Sequence, residues 1–138
     1  MICLSPVVKR VAVLLLLVLP IISACKHSKD VDGIDGEWRV HEIRMGSEPN
    51  DYYVEIDKNG TDTTHYKIYN MFNFGEDFCV HLVLIDDQFT IMGCDNPDIN
   101  VSGEGKLTRS DEPRIDWVYS ISGLDIEEVG IMAIYTRD

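Results

Sequence analysis

Residues 78–94, FCVHLVLIDDQFTIMGC, predict a β-hairpin and with it the fold class of the chain. Asp86 and Asp87 stand between two apolar runs, where a two-residue turn would join paired strands. With that turn the predicted register pairs Leu84 with Phe89, Leu82 with Ile91, Val80 with Gly93, His81 with Met92 and Cys79 with Cys94. The hairpin therefore has one apolar face, and its other face brings two cysteines together.

Short alternating segments separated by turn signals continue on both sides of this hairpin. Strands are predicted at 36–45, 52–57, 61–70, 78–85, 88–94, 99–107, 114–121 and 129–137. No stretch has a convincing helical period. Eight short antiparallel strands predict an all-β fold, an eight-stranded up-and-down barrel whose closure leaves no exposed edge. A two-sheet β-sandwich is the alternative. Gly103 and Gly105, both on the inward face, predict a bend or bulge in their strand.

The first 25 residues have the pattern of an export signal. Lys9 and Arg10 precede an apolar run at 11–19, which is shorter than the about 20 residues that span a bilayer. The sequence ISAC at 22–25 resembles the bacterial lipobox. That resemblance implies a diacylglycerol on the thiol of Cys25, cleavage before it, and acylation of the new N-terminus, with palmitate as an expected chain. An ordinary secreted protein with a cysteine beside its cleavage site is the alternative.

These features divide the chain into three parts. They are a lipoprotein signal peptide at 1–24, a lipidated tether at 25–35, and a barrel domain at 36–138. The tether is polar and has no periodicity, as linkers do. The predicted location is the cell envelope, anchored to the outer membrane by lipid, with the periplasmic and the surface face both open.

The net charge of −12 limits the classes of partner. Loss of Lys9 and Arg10 with the signal would make the mature chain still more acidic. Such a balance argues against nucleic acid, whose phosphates would be repelled, and against a basic membrane-docking face. Basic proteins, metal ions and neutral or apolar ligands remain, and surface acid also serves simply to keep an exported protein soluble.

Two cysteines remain for the fold. Cys3 leaves with the signal and Cys25 carries lipid, so Cys79 and Cys94 are left of the four. A pair of cysteines in an oxidising compartment predicts a disulfide. The hairpin register agrees, because directly opposed residues in a hydrogen-bonded pair have Cα atoms about 5.5 Å apart, within the range of a disulfide.

Several short motifs resemble those of lipocalins and related calycin barrels. Gly36-Glu37-Trp38 matches the G-x-W of their first strand. YKIYNMFNFG at 66–75, WVYSI at 117–121 and AIYTR at 133–137 resemble small lipocalin-like lipoproteins of Gram-negative gut bacteria. The resemblance implies a barrel whose closed end is plugged by Trp38, with Arg137 packed against it, and a cavity, but no particular ligand. The chain is shorter than full-length lipocalins and lacks their C-terminal helix.

An inward aromatic set gives the candidate pocket. Barrels of eight strands are either filled by side chains or hold one small ligand. The candidate pocket residues are Tyr66, Phe72, Phe89, Trp117 and Tyr119.

No catalytic motif, cofactor motif or metal-ligand spacing is present, so we expect neither an enzyme nor a resident metal. Cys79, His81 and Met92 would form a soft-ligand trio for copper(I) only if the disulfide does not form. The predicted function is a non-enzymatic lipoprotein that binds a small apolar ligand. The alternative is an acidic interaction or inhibitor module for a basic host protein such as lysozyme.

Overall fold

The computed structural model describes residues 33–138. The predicted signal peptide, most of the tether and Cys25 lie outside the described residues. The strands are β1 (Gly36–Ile43), β2 (Asn50–Lys58), β3 (His65–Tyr69), β4 (Cys79–Ile85), β5 (Gln88–Cys94), β6 (Asn100–Thr108), β7 (Arg114–Gly123) and β8 (Ile126–Thr136), with a 3₁₀ turn, η1 (Met71–Asn73), after β3.

Each strand pairs antiparallel with the next one along the chain, and β8 returns to pair with β1. The sheet is therefore a closed barrel, and the predicted eight-stranded up-and-down barrel is confirmed over the sandwich. Within the described part of the chain, no helix has the length and hydropathy needed to cross a bilayer.

Alternation along the strands produces the core. In β1, Trp38, Val40 and Glu42 are buried while the residues between them are exposed. All seven remaining strands also contribute inward-facing apolar side chains to the same buried cluster. Because side chains alternate across a strand, a single apolar set from each strand fills the barrel while the polar set faces water.

The hairpin β4–β5 keeps the predicted register only near its turn. Asp86 and Asp87 both have positive φ, as a two-residue type I′ turn requires, and Leu84 pairs with Phe89. A bulge between His81 and Leu82 then shifts the register by one residue. His81 pairs with Gly93 rather than Met92, and Val80 pairs with Cys94 rather than Gly93. The prediction that Cys79 lies directly opposite Cys94 is therefore wrong.

The two inward glycines of β6 mark no bulge against β7, since β6 pairs with β7 without a break, whereas the pairing of β6 with β5 ends at Glu104 beside Gly103. Gly105 lies opposite Trp117, and a Cβ on Gly105 would stand 2.6 Å from an atom of the indole ring. Gly103 lies opposite Tyr119, and a Cβ there would stand 2.5 Å from the Cα of Tyr119. Glycine is needed at these positions because β7 side chains and backbone occupy the space that a methyl group would take.

One end of the barrel is closed around Trp38. Its indole N–H donates to the carbonyl of Ile34 at 2.8 Å, and both residues are buried. The guanidinium of Arg137 lies over the ring, 4.7 Å from Cζ to the ring centroid, and donates to the carbonyl of Asp35. Gly36 passes close to this guanidinium, so the five residues pack as one plug.

Candidate functional site

A buried carboxylate lies inside the other end of the barrel. Glu42 has no solvent exposure, although it carries a charge. Its Oε2 accepts hydrogen bonds from the hydroxyls of Tyr52, at 2.5 Å, and Tyr119. Its Oε1 accepts from Nε of Arg44 at 2.7 Å and forms an ion pair with a second guanidinium nitrogen of Arg44 at 2.6 Å. These four residues are the Glu42 site, and both carboxylate oxygens in it accept hydrogen bonds.

Burial keeps the phenols of this region protonated. Burial is the largest of the effects that raise the pKa of Tyr52 and Tyr119 far above the usual value, and the charge of Glu42 raises both pKa values further. The pKa of Tyr135 is raised in the same way, first by burial and then by electrostatic interaction with the neighbouring Tyr52 and Glu42. The hydroxyls of Tyr52 and Tyr119 therefore remain hydrogen-bond donors to the carboxylate at physiological pH.

A short segment covers the Glu42 site. We name residues 70–78 the lid, because they connect β3 to β4 across this end. The lid is closed by the amide of Asn70, which donates to the carbonyl of Phe78 at 3.0 Å. The side chain of Asn70 holds it further, donating to the carbonyl of Tyr53 and accepting from the amide of Gly75, both at 2.7 Å.

Phe72 joins the lid to the Glu42 site. The guanidinium of Arg44 lies over its ring, with Cζ 3.7 Å from the centroid. Its amide donates to the hydroxyl of Tyr52 at 3.0 Å. Asn70, Phe72 and Asn73 all have positive φ, a conformation that costs about 1–3 kcal/mol for such residues and that clusters at ligand clamps and switch regions. Contacts to the Glu42 site offset this strain, so site and lid are one unit.

The five predicted pocket residues are all buried, but they are not all in one place. Phe89 contacts both Tyr66 and Trp117 through ring pairs, with centroids 5.7 and 5.5 Å apart. Tyr119 belongs to the Glu42 site, and Phe72 belongs to the lid, where its ring packs edge-on against Phe74. Of the five, only Tyr66, Phe89 and Trp117 form one packed group of rings, with Phe89 between the other two.

Two buried polar atoms stand out beside this aromatic core. The indole N–H of Trp117 and the hydroxyl of Tyr135 have no hydrogen-bond partner among residues 33–138. Their rings contact each other, with centroids 5.7 Å apart. Because more than about nine in ten buried polar groups in proteins are hydrogen-bonded, an unpaired donor here calls for a functional or structural reason.

An open groove lies at the lidded end, with a volume of about 560 Å³. It runs between the lid and the loops that follow β5 and β7. Its apolar wall is formed by Phe74, Phe78, Ile99, Leu124 and Ile126. Cys79 and Asp95 line it as well.

Sequence reasoning missed Glu42 and Arg44. A signal for Glu42 was present, because strict alternation from Trp38 through Val40 places it inside the barrel. Arg44 lies just beyond the end of β1, where alternation no longer predicts orientation.

Both cysteines of the barrel are free thiols in the structure. The thiol of Cys94 contacts the carbonyl oxygens of Asn96 and Ile99 at 3.4 and 3.2 Å. Burial raises the pKa of the Cys79 thiol, and the nearby charge of Asp95 raises it further. Because of the register slip, Cys94 lies opposite Val80 and not opposite Cys79, so the disulfide stays a prediction.

Comparison with protein families and with curated proteins gives no match. Among solved structures, the fold is similar to that of a structural-genomics protein of unknown function from Bacteroides ovatus, with a TM-score of 0.50 and 16% sequence identity. The similarity covers 75% of this chain and 41% of that one, so this chain spans less than half of its length. A likeness at this identity supports the barrel fold alone.

Proposed function

We propose that this chain is a non-enzymatic binding protein, anchored to the outer membrane through lipid on Cys25, whose barrel takes a small, mostly apolar ligand beneath the lid. The lipobox-like ISAC at 22–25 supports the anchor, and the G-x-W at 36–38 supports a lipocalin-like barrel. The observation that carries ligand binding is the unpaired indole N–H of Trp117 beside the unpaired hydroxyl of Tyr135.

The chemistry of the interior defines the ligand class. Most of the buried side chains are apolar or aromatic, so the body of the ligand is apolar. The indole N–H of Trp117 is only a donor, so the ligand presents a hydrogen-bond acceptor, such as a carbonyl or an ether oxygen. The carboxylate of Glu42 already has three hydrogen-bond donors and an ion pair with Arg44, and a cationic ligand would have to displace them.

Entry requires the lid to move, because Phe72 and Arg44 cover the Glu42 site. The strained backbone of the lid lowers the cost of that movement, since opening releases the left-handed conformations at Asn70, Phe72 and Asn73. The apolar groove beside the lid gives the ligand a place to bind before it enters.

Two measurements test the ligand. Native mass spectrometry of protein purified from its own host should find a retained small molecule. An environment-sensitive apolar dye should bind the purified chain with enhanced fluorescence, and Trp117→Phe, which keeps a ring but removes the N–H, should release the retained molecule. Tyr53→Phe is the matched control, because Tyr53 is exposed on the outer face. A chain that is always isolated empty and does not respond to the dye would refute this function.

The acidic interaction module stays a prediction with its own test. Binding to a basic protein such as lysozyme should weaken steeply with salt if acidic side chains mediate it.

A further inference from the structure

A thiol, an imidazole and a carboxylate meet on the outer surface beside the lid. Cys79, His81 and Asp95 place one ligand atom each within 4.8 Å of one another. Among residues 33–138 no other group of three such side chains comes as close. Cys79 is buried, whereas His81 and Asp95 are partly and largely exposed.

Strand geometry builds this cluster. Cys79 and His81 are two residues apart on β4, so alternation puts both on its outer face, with Val80 inside. Asp95 follows the last residue of β5, and its amide donates to the carbonyl of Cys79 at 3.0 Å. The bulge at His81 brings Asp95 to this position, which the unbulged register would have given to Cys94.

The cluster differs from the other His–Asp pairs of the barrel. His41 contacts Asp51 and His65 contacts Asp62, each at 2.6 Å, and all four side chains are about half exposed. His81 contacts Asp95 at 2.5 Å, but here a cysteine stands beside the pair. The chain thus contains its own controls for what a histidine and a carboxylate do without a thiol.

The groups that face the cluster come from β3. Lys67 pairs with His81 and Tyr69 pairs with Cys79 across the two strands. Burial and the charge of Asp95 raise the pKa of the Cys79 thiol, and the positive charge of Lys67 offsets this only in part. The hydrogen bond from His81 is the first cause that lowers the pKa of Asp95, and Lys67 adds a smaller effect. Lys67 also repels an incoming cation, so binding depends on the thiolate and carboxylate outweighing this one charge.

We propose that Cys79, His81 and Asp95 form a Zn²⁺ site. Thiolate, imidazole and carboxylate are the three side-chain ligands that zinc takes, and three protein ligands leave a fourth position for water or another molecule. The carboxylate disfavours the copper(I) ion, which prefers soft ligands. The groove beside the lid is lined by Cys79 and Asp95, so the fourth position borders that groove. This proposal does not depend on ligand binding inside the barrel.

The distances permit coordination after small movements. Tetrahedral zinc, with bonds of about 2.1 Å to nitrogen and oxygen and about 2.3 Å to sulfur, sets its ligand atoms about 3.4–3.6 Å apart. His81 and Asp95 must therefore separate by about 1 Å from their 2.5 Å contact, and the longer separations must close by at most about 1.2 Å. Rotation of exposed side chains supplies such shifts. On binding, the thiol of Cys79 loses its proton to solvent.

Titration calorimetry of the reduced full chain in detergent, with zinc chloride, tests the site. We expect one zinc ion per chain. Cys79→Ser should weaken binding by more than the about 10- to 100-fold that loss of an outer hydrogen-bond partner costs. His65→Asn and Cys94→Ser are the controls and should bind as the unaltered chain does, since neither residue belongs to the cluster.

Cobalt substitution gives a readout that does not depend on a variant folding. Co²⁺ bound by Cys79 should produce a thiolate-to-cobalt charge-transfer band in the near ultraviolet, which zinc then abolishes. The absence of that band, or undiminished zinc binding by Cys79→Ser, would overturn the proposal. So would a disulfide between Cys79 and Cys94 in protein isolated from its host without reductant, because it would consume the thiolate.

Discussion

Two tyrosine hydroxyls donate to one carboxylate oxygen in the Glu42 site, and their removal should have measurable and unequal effects on stability. Tyr52 and Tyr119 both donate to Oε2 of Glu42, and Arg44 donates to Oε1. Tyr119→Phe removes one hydrogen bond to a charged group, so it should lower the free energy of unfolding by about 1.5–3 kcal/mol. Oε2 still has the hydroxyl of Tyr52, so the carboxylate stays paired.

Tyr52→Phe should cost more than Tyr119→Phe. The hydroxyl of Tyr52 also accepts the amide of Phe72 at 3.0 Å, and both partners are buried. Its removal therefore leaves a second group unpaired, which adds about 1–3 kcal/mol. The total loss should be about 2.5–6 kcal/mol, a large part of the about 5–15 kcal/mol that stabilises a typical domain.

The double variant should lose more than the sum of the two single losses. With both hydroxyls gone, Oε2 of Glu42 is left buried with no donor, a state that neither single variant reaches. Neighbours that share a partner typically couple by about 0.5–3 kcal/mol. The free energies of unfolding of the unaltered chain, the two single variants and the double variant are measured by urea unfolding, monitored by tryptophan fluorescence. Equal costs for the two single variants, or strict additivity in the double variant, would refute this account of the site.

Three further outcomes follow from the same contacts. Gly105→Ala should lower the free energy of unfolding by about 1–3 kcal/mol, measured in urea, because the new methyl overlaps the ring of Trp117; an unchanged midpoint would show that the ring moves freely. In the Glu42 site, the raised pKa values of Tyr52 and Tyr119 contribute to the free energy of unfolding, fully below pH 10. This contribution falls as the pH rises beyond 10, because there the tyrosines of the unfolded chain ionise and those of the folded chain do not. Tyrosinate absorbance of these phenols should therefore appear with unfolding and not before it. Asp62 has a pKa lowered to about 2, first by the amide and then by the hydroxyl of Thr64. Its contribution to the free energy of unfolding is therefore present above its usual pKa of 3.8 and is lost as the pH falls toward 2. The melting temperature of Asp62→Asn should depend less on pH in that range than the melting temperature of the unaltered chain.

The barrel could be predicted because its causes are local and repeated. Alternation decides which face of each strand is buried, and short turn signals make neighbouring strands antiparallel. The turn at Asp86 and Asp87 fixed the pairing of Leu84 with Phe89 in this way. The same rule assigns Glu42 to the interior, yet a charged residue there conflicts with the expectation of an apolar core, and alternation alone does not name the hydroxyls that satisfy it.

The lid could not be predicted from local rules. The segment after β3 continues with apolar residues, which is equally compatible with a longer strand. It turns because Asn70, Phe72 and Asn73 adopt left-handed conformations. Local contacts such as that of Asn70 with the amide of Gly75 stabilise part of this turn, whereas Phe72 is held by a distant contact, with Arg44 over its ring. Such a conformation is unfavourable for phenylalanine by itself, so sequence propensity points away from the observed structure.

The bulge at His81 has the largest chemical consequence of any feature that the sequence did not reveal. Both registers of the hairpin bury the same apolar side chains near the turn, so the hydrophobic pattern there does not distinguish them. What differs is the far end, where Gly93, with a φ of 137°, accommodates the irregularity. In the unbulged register, Cys79 would face Cys94 and the expected chemistry would be oxidation to a disulfide. In the observed register, Asp95 takes the place beside Cys79, and the same thiol meets an imidazole and a carboxylate. One extra residue on one strand thus decides between a covalent link and a metal-binding cluster, and the redox state of Cys79 in protein from its host distinguishes the two.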